Sequence, residues 1–284
     1  MKKKSAALFS VILITISLSG KEYVAVKTLM QQKKITLIIS GNGTYQEYCV
    51  LFTLTNLTND SVFVYIEPGL RLISTDTGAT DIVLFRERKF MLKPREALNV
   101  PGYGFSAQCF KRAPSKKTLF TLGAPVPGYW MKLISLTNNQ RFPATAIQQA
   151  LWVLTDHIPL SAIYSGNLDE IAPLRQLIAG LTGDEVPWYS IQYQTDSLRL
   201  FTAKPERLSG VVDYFLSHTT EVTISVRDTG GYLIRNLMNE VMHNSGDYGY
   251  AIDLQIGKWK KGDYKIYIYE NFPKIMKLYT FSVE

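Results

Sequence analysis

The chain has few of the residues that build catalytic and metal sites. Of its 284 residues only two are cysteines, Cys49 and Cys109, and only three are histidines, at positions 157, 218 and 243. The histidines lie far apart and lack metal-ligand spacing, so we expect no metal site. No nucleophile elbow follows a strand, and no glycine-rich phosphate loop opens a helix. The sequence therefore predicts no catalytic residues, no turnover and no cofactor.

Long hydrophobic runs are absent after residue 20. Lys2, Lys3 and Lys4 form a basic start, Ala6–Leu18 form an apolar run too short for a membrane span, and Ser17–Gly20 offer a small-residue cleavage site. Residues 1–20 are therefore predicted to be a secretory signal peptide. No cysteine follows, so we expect no lipid anchor. The mature chain is expected to be exported, to lie in the periplasm or at the cell surface, and to have no transmembrane span.

Strong charge of one sign is lacking too. The formal net charge is +7, to which the three signal lysines contribute, and the other basic clusters are scattered, as at Lys33-Lys34 and Lys116-Lys117. Scattered charge is typical of solvated loops, and export separates the chain from nucleic acid, so no nucleic-acid partner is expected. An unknown surface protein or an acidic envelope polysaccharide is the expected partner.

Short alternating segments dominate the rest of the chain. In Tyr48–Asn56, for example, Tyr48, Val50 and Phe52 are predicted to point to one side of a strand and Cys49 to the other. Such segments, separated by Gly, Pro and Asn, favour a mainly β fold made of Ig-like β-sandwiches.

A helical pattern interrupts the strands between about residues 131 and 183. It covers Met131–Leu136, Ala144–Thr155 and Leu168–Leu181, with Pro143 before the second helix and Gly183 after the third. We therefore predict two domains: an N-terminal β-sandwich over residues 21–186, with the helical insert between the domains or within the first, and an Ig-like β-sandwich over residues 187–284.

The second helical segment carries the motif Gln148-x-Ala150-Leu151-Trp152. This motif resembles that of bacterial surface domains in which a cysteine thiol and a glutamine side chain form an internal thioester and release ammonia. In these domains the buried bond later reacts with an amine or hydroxyl on another surface. The resemblance implies a thioester between Cys109 and Gln148, with Cys49 as the less favoured cysteine and with Trp152 and Thr155 on the supporting helix face.

The residues themselves leave alternatives open. The two cysteines could instead form a disulfide, as is common in exported proteins, or stay as free thiols. For Gln148 the alternative is a polar helix residue that bonds to backbone, and for Trp152 it is a place in the core.

The C-terminal segment also carries a recognisable pattern. Asp228-Thr229-Gly230-Gly231 is a hairpin turn between two strands, and Lys261-Gly262-Asp263-Tyr264 opens a late strand. Together they resemble the small Ig-like modules of the flagellar hook-cap protein and of type IX secretion sorting domains, which implies an Ig-like fold. The ending Phe281-Ser282-Val283-Glu284 differs from the basic strand of a sorting signal.

Aromatic residues of this segment form a candidate ligand face: Trp259, Tyr267 and Tyr269. Alternation places Tyr267 and Tyr269 on one side of a strand, although cross-strand packing is the alternative role. The leading functional hypothesis is adhesion or interaction at the cell surface without turnover. The alternatives are a carbohydrate-binding envelope module and an envelope enzyme whose site the sequence does not reveal.

Overall fold

The structure, a computed structural model, describes residues 22–196 and 198–283, and the predicted signal peptide at 1–20 lies outside them. The described residues form a mainly β fold, as predicted. The N-terminal strands are β1 (Val24–Ala25), β2 (Ile35–Gly41), β3 (Gln46–Asn56), β4 (Val62–Ile66), β5 (Leu70–Ser74), β6 (Ile82–Leu84), β7 (Arg88–Leu92), β8 (Ala97–Ser106) and β9 (Leu119–Pro125). The helices are α1 (Val26–Gln31), α2 (Gly128–Asn139), α3 (Ala144–Asp156) and α4 (Ala172–Thr182). The C-terminal strands are β10 (Tyr189–Tyr193), β11 (Pro205–Leu216), β12 (Thr220–Asp228), β13 (Leu233–His243), β14 (Gly246–Gln255), β15 (Gly262–Glu270) and β16 (Lys274–Val283).

Six N-terminal strands form a closed barrel in the order β2-β3-β8-β6-β5-β9. The barrel closes where Ile39 and Ser40 of β2 pair with Phe120 and Leu119 of β9. This corrects the predicted N-terminal sandwich, because the pairing of β9 with β2 leaves no two open sheets. Strands β1, β4 and β7 form a separate sheet, and their buried side chains share one apolar core with the barrel.

A bulge interrupts the pairing of β3 with β8. Glu47 pairs with Gly104 and Val50 with Gly102, so Tyr48 and Cys49 together stand opposite a single residue of β8. The bulge turns Cys49 into the core and leaves Tyr48 exposed. The predicted alternation is therefore wrong for these two residues.

Helices α2, α3 and α4 pack against the barrel through a second apolar core, which includes Phe85 and Phe105 of the barrel half. Helix α3 confirms the predicted helix at Ala144–Thr155 and begins directly after Pro143. Helix α4 ends before Gly183, whose φ of +83° is a conformation that favours glycine. No described helix has both the length and the apolar character needed to cross a membrane.

The C-terminal strands form two antiparallel sheets that enclose a third apolar core. One sheet has the order β10-β11-β14 and the other β13-β12-β15-β16. The predicted hairpin joins β12 to β13: Gly231 N–H donates to the Asp228 carbonyl over 3.0 Å, and Tyr232 N–H donates to the Asp228 carboxylate over 2.9 Å.

The substitution Phe105→Ala tests how much the packing between barrel and helices contributes to stability. The buried Phe105 ring contacts Phe85, with centroids 4.7 Å apart, and Tyr103, at 5.5 Å. We expect Phe105→Ala to lower the free energy of unfolding by about 3–5 kcal/mol, because the cavity lies where barrel and helices meet. Urea unfolding followed by tryptophan fluorescence measures this. The exposed Leu119→Ala is the control, expected within about 0.5 kcal/mol of wild type; equal losses in both variants would contradict the assignment.

Candidate functional site

Gln148 lies in α3 with its side chain against the last residue of β8. Its Oε1 accepts a hydrogen bond from Ser106 N–H over 2.9 Å, and its Nε2 donates to the Ser106 carbonyl over 2.8 Å. Trp152, one turn later, donates from Nε1 to Ser106 Oγ over 3.3 Å. Both side chains are buried. These are the contacts of the backbone-bonding alternative, because the Gln148 amide pairs with both backbone groups of Ser106, whose N–H also donates to the Tyr45 carbonyl over 2.8 Å.

The Asp81 carboxylate stabilises the end of the barrel that lies near Ser106. Arg71 Nη2 lies 2.7 Å from Asp81 Oδ2, and Gln108 Nε2 donates to the same oxygen over 3.0 Å. Burial opposes the ionisation of Asp81, but hydrogen bonds from Ser74 N–H, Gln108 and Arg71 hold the pKa of its carboxyl below its usual value. Asp81 is therefore charged at neutral pH and holds β5, β6 and the end of β8 together.

Cys109 lies three residues beyond Ser106 and is buried beside the C-terminal end of α3. Its N–H donates to the Asp156 carboxylate over 2.9 Å, and its carbonyl accepts from Phe201 N–H over 2.9 Å. Burial, together with the nearby Asp156 carboxylate, raises the pKa of the Cys109 thiol. The thiol is therefore protonated at neutral pH, which makes it a poor nucleophile.

Cys49 is buried at the bulge of β3. Its thiol donates to the Gly104 carbonyl over 3.4 Å, and burial raises its pKa to about 12. Both cysteines are free thiols in the structure. The thioester through Gln148 stays a prediction, and its formation would require the Gln148 amide to leave both of its Ser106 partners.

The structure separates the three residues of the candidate ligand face. The rings of Tyr267 and Tyr269 stack 5.7 Å apart, as alternation predicts, but Trp259 packs on Tyr264 and Phe281 at the core side of the sheet. Tyr269 is only 5% exposed, so it offers no open ring face to a ligand. Tyr267 is partly exposed on the outer side of the sheet, and Trp259, which is also partly exposed, lies on the core side.

The side chains of Ser217, His218 and Glu270 are arranged in the Ser-His-acid order of a catalytic triad. This cluster was not predicted from the sequence. Ser217 Oγ lies 3.0 Å from His218 Nδ1, and His218 Nε2 lies 3.1 Å from Glu270, which also pairs with Lys274 at 3.0 Å. The His218 side chain is 61% exposed, and Ser217 is its chain neighbour. Because solvent screens exposed contacts of this kind, they are better explained as a link between two strand ends than as a catalytic site. No group of three His, Cys, Asp or Glu side chains within 22–196 and 198–283 is placed to hold a metal ion.

A second missed residue is Arg175 of α4. It is buried, and its Nη2 donates to the carbonyls of Pro187 over 2.9 Å and Tyr189 over 2.7 Å. Burial lowers its pKa to about 10, so the guanidinium is still charged at neutral pH. The sequence contains no signal for this contact, because an arginine on a helix normally points to solvent. Arg175 fixes the start of the C-terminal sheets to the helices.

No family model and no curated protein matches the chain. Among solved structures, a selenomethionine-labelled β-glucosidase from Kluyveromyces marxianus is similar at 12% identity and a TM-score of 0.21, with 83% of this chain and 44% of that chain covered. The β-glucosidase from the same organism in complex with glucose gives 11% identity, a TM-score of 0.21, and 83% and 45% coverage. The chain thus spans less than half the length of these enzymes, and a likeness this weak carries no argument about function.

A substitution of Gln148 tests whether its hydrogen bonds to Ser106 attach α3 to the barrel. Gln148→Leu removes both hydrogen bonds and leaves the buried Ser106 carbonyl without this donor, whereas Ser106 N–H keeps the Tyr45 carbonyl as an acceptor over 2.8 Å. We expect the free energy of unfolding to fall by roughly 1–3 kcal/mol, the cost of one unsatisfied buried carbonyl. Urea unfolding measures the change, with the exposed Gln140→Leu as the matched control. Unfolding curves that coincide for the two variants would show that the attachment does not depend on this amide.

The thiols are tested by intact mass. We expect the purified protein to have the mass of two free thiols, to resist iodoacetamide while folded, and to take up two carbamidomethyl groups in denaturant, because both thiols are buried and protonated. A mass lower by one ammonia, raised again by methylamine, would instead establish the thioester. A mass lower by two hydrogens and restored by a reductant would establish a disulfide.

Proposed function

We propose that the chain is an exported interaction protein that acts at the cell surface or in the periplasm without turnover. Its C-terminal part would be an Ig-like module that presents the binding surface. The arrangement of three and four antiparallel strands around one core supports this assignment, as does the Asp228–Gly231 hairpin. The predicted signal peptide supports the location.

The observation that carries the proposal is an exposed apolar surface on an edge strand. The β13 surface consists of Tyr232, Leu233, Ile234, Val241 and Met242, all exposed. Tyr232 at the hairpin is 74% exposed and Met242 near the other end is 59% exposed. These apolar side chains lie exposed at the two ends of the strand and favour an interaction site, since their exposure to water is unfavourable until a partner covers them.

The backbone of β13 favours recognition by side chains. Its pairing with β12 contains three register shifts, between Val222 and Arg227. Bulges of this kind twist an edge strand and hinder the addition of a further strand. A partner would therefore contact the apolar side chains of the β13 surface.

The two alternatives have less support. A carbohydrate platform needs open ring faces, and Tyr269 is buried under neighbouring side chains that include Phe272. A hydrolase site at Ser217 has little support, because its candidate base, His218, is 61% exposed and solvent screens its contacts.

The β13 surface is tested by the double substitution Tyr232→Ser/Met242→Ser. We expect the wild-type chain to bind at least one of a panel of immobilised matrix proteins, and the variant to bind it at least about tenfold more weakly, because burial of each large apolar side chain contributes about 1.5–3 kcal/mol. Biolayer interferometry measures both. Leu119→Ser, on the exposed side of the barrel, is the matched control and should bind as wild type.

Two outcomes would contradict the proposal. Binding confined to a glycan array and abolished by Tyr267→Ala would favour the carbohydrate-binding module. Hydrolysis of a chromogenic ester that is lost in Ser217→Ala would favour the enzyme.

A further inference from the structure

Strand β11 has an open side. On one side it pairs with β14 from Arg207 to Leu216, in ten consecutive pairs without a register shift. On the other side β10 pairs with it only as far as Gly210. No described strand pairs with the open side of Val211–Leu216. The regular register makes this segment a suitable template for a further strand, unlike the bulged β13.

A side chain occupies part of this open side. The Tyr279 hydroxyl accepts a hydrogen bond from Asp213 N–H over 2.9 Å and donates to the Asp213 carbonyl over 2.8 Å. A single hydroxyl thus takes the place of the backbone N–H and carbonyl that a neighbouring strand would present to Asp213.

Two clefts border β11 and share Asp213. One, of about 500 Å³, lies between the turn at Ser165–Asp169 and β11, and Trp188 and Val211 also line it. The other, of about 420 Å³, continues from Asp213 past Phe215 to Lys277. Residues of β14 also line both clefts, Ala251 in the first and Asp247 and Gly249 in the second, so the clefts lie over the β11–β14 face and adjoin the open side.

The outward side chains of the segment have a distinct pattern. Val211 and Phe215 are exposed, the latter by 61%, and Asp213 stands exposed between them. A second carboxylate, Asp247, is the cross-strand neighbour of Phe215. A strand placed here would meet apolar, acidic and apolar side chains in turn, and opposite charges on facing strands attract.

We infer that the open side of β11 binds an extended peptide segment of a partner protein by strand addition. The segment carries a lysine or arginine opposite Asp213, with apolar residues two positions before and after it. Backbone hydrogen bonds to β11 supply the general affinity, and the basic residue supplies selectivity. This site lies on the other sheet from the β13 surface, so the inference goes beyond the proposed function and can fail independently of it.

A second copy of the chain fits this side poorly. The antiparallel register that pairs the whole of Val211–Phe215 with itself would place Asp213 opposite the partner's Asp213. Like charges in directly facing positions destabilise a strand pair. The charge pattern therefore favours a basic partner.

The test uses the full chain and a fluorescent peptide of about nine residues, long enough for one strand. The peptide alternates threonine and valine around a central lysine, and a second peptide has glutamate in place of the lysine. Fluorescence anisotropy gives the Kd. We expect wild type to bind the lysine peptide more tightly than the glutamate peptide. For Asp213→Lys we expect the opposite preference, with the two Kd values differing by about tenfold. Glu221→Lys makes the same charge change on the other sheet and should leave the preference unchanged.

Tyr279→Phe separates binding from folding. The variant frees Asp213 N–H and its carbonyl for a strand partner, so we expect the lysine peptide to bind more tightly than to wild type. A protein merely damaged by the change would bind more weakly.

Phe215→Pro removes an N–H from the open side and should weaken binding while circular dichroism stays that of wild type.

Three results would overturn the inference. One is no binding of either peptide by wild type or Tyr279→Phe up to about 1 mM, the weak limit for a useful site. The second is a peptide preference that Asp213→Lys does not change. The third is a dimer in sedimentation that Phe215→Pro dissolves, which would assign the open side to a second copy.

Discussion

The rest of the N-terminal half depends on the pairing of the Gln148 amide with both backbone groups of Ser106. Ser106 is where β8 leaves the barrel, and the same strand end continues to Cys109, which holds Asp156 of α3. Helix α3 is thus attached to the barrel by polar contacts from its second turn, at Gln148, and from its last residue, Asp156, and apolar packing accompanies these contacts. Because buried polar groups are costly when unpaired, these contacts fix one orientation of the helix.

Local features of the fold could be predicted from the sequence, and long-range features could not. Helix α3 follows from its periodic apolar residues and from Pro143, and the β12–β13 hairpin follows from the turn at Asp228–Gly231. Barrel closure depends on Ile39 meeting Phe120, residues that no local pattern relates. The bulge that turns Cys49 inward begins at Glu47, whose φ of +62° is uncommon for a residue other than glycine.

The candidate site was predictable to a similar extent. Helical spacing placed Gln148 and Trp152 on one face, but it could not show that Ser106 lies opposite them. Alternation correctly paired Tyr267 with Tyr269, whereas the burial of Tyr269 depends on neighbours that include Phe272, which follows the end of β15. The open side of β11 had no signal at all, since a strand sequence does not reveal where its neighbour begins.

Arg175 has a mechanical consequence. Its guanidinium bonds the carbonyls on both sides of Trp188, so the chain that leaves α4 is held there by more than its peptide bonds. Tension applied to the C-terminal sheets, as when a bound particle is pulled by flow, would pass through the two Arg175 hydrogen bonds into α4. It would do so before the segment between α4 and β10 could extend. Under the proposed function, a load on the bound partner would enter the barrel half at this contact.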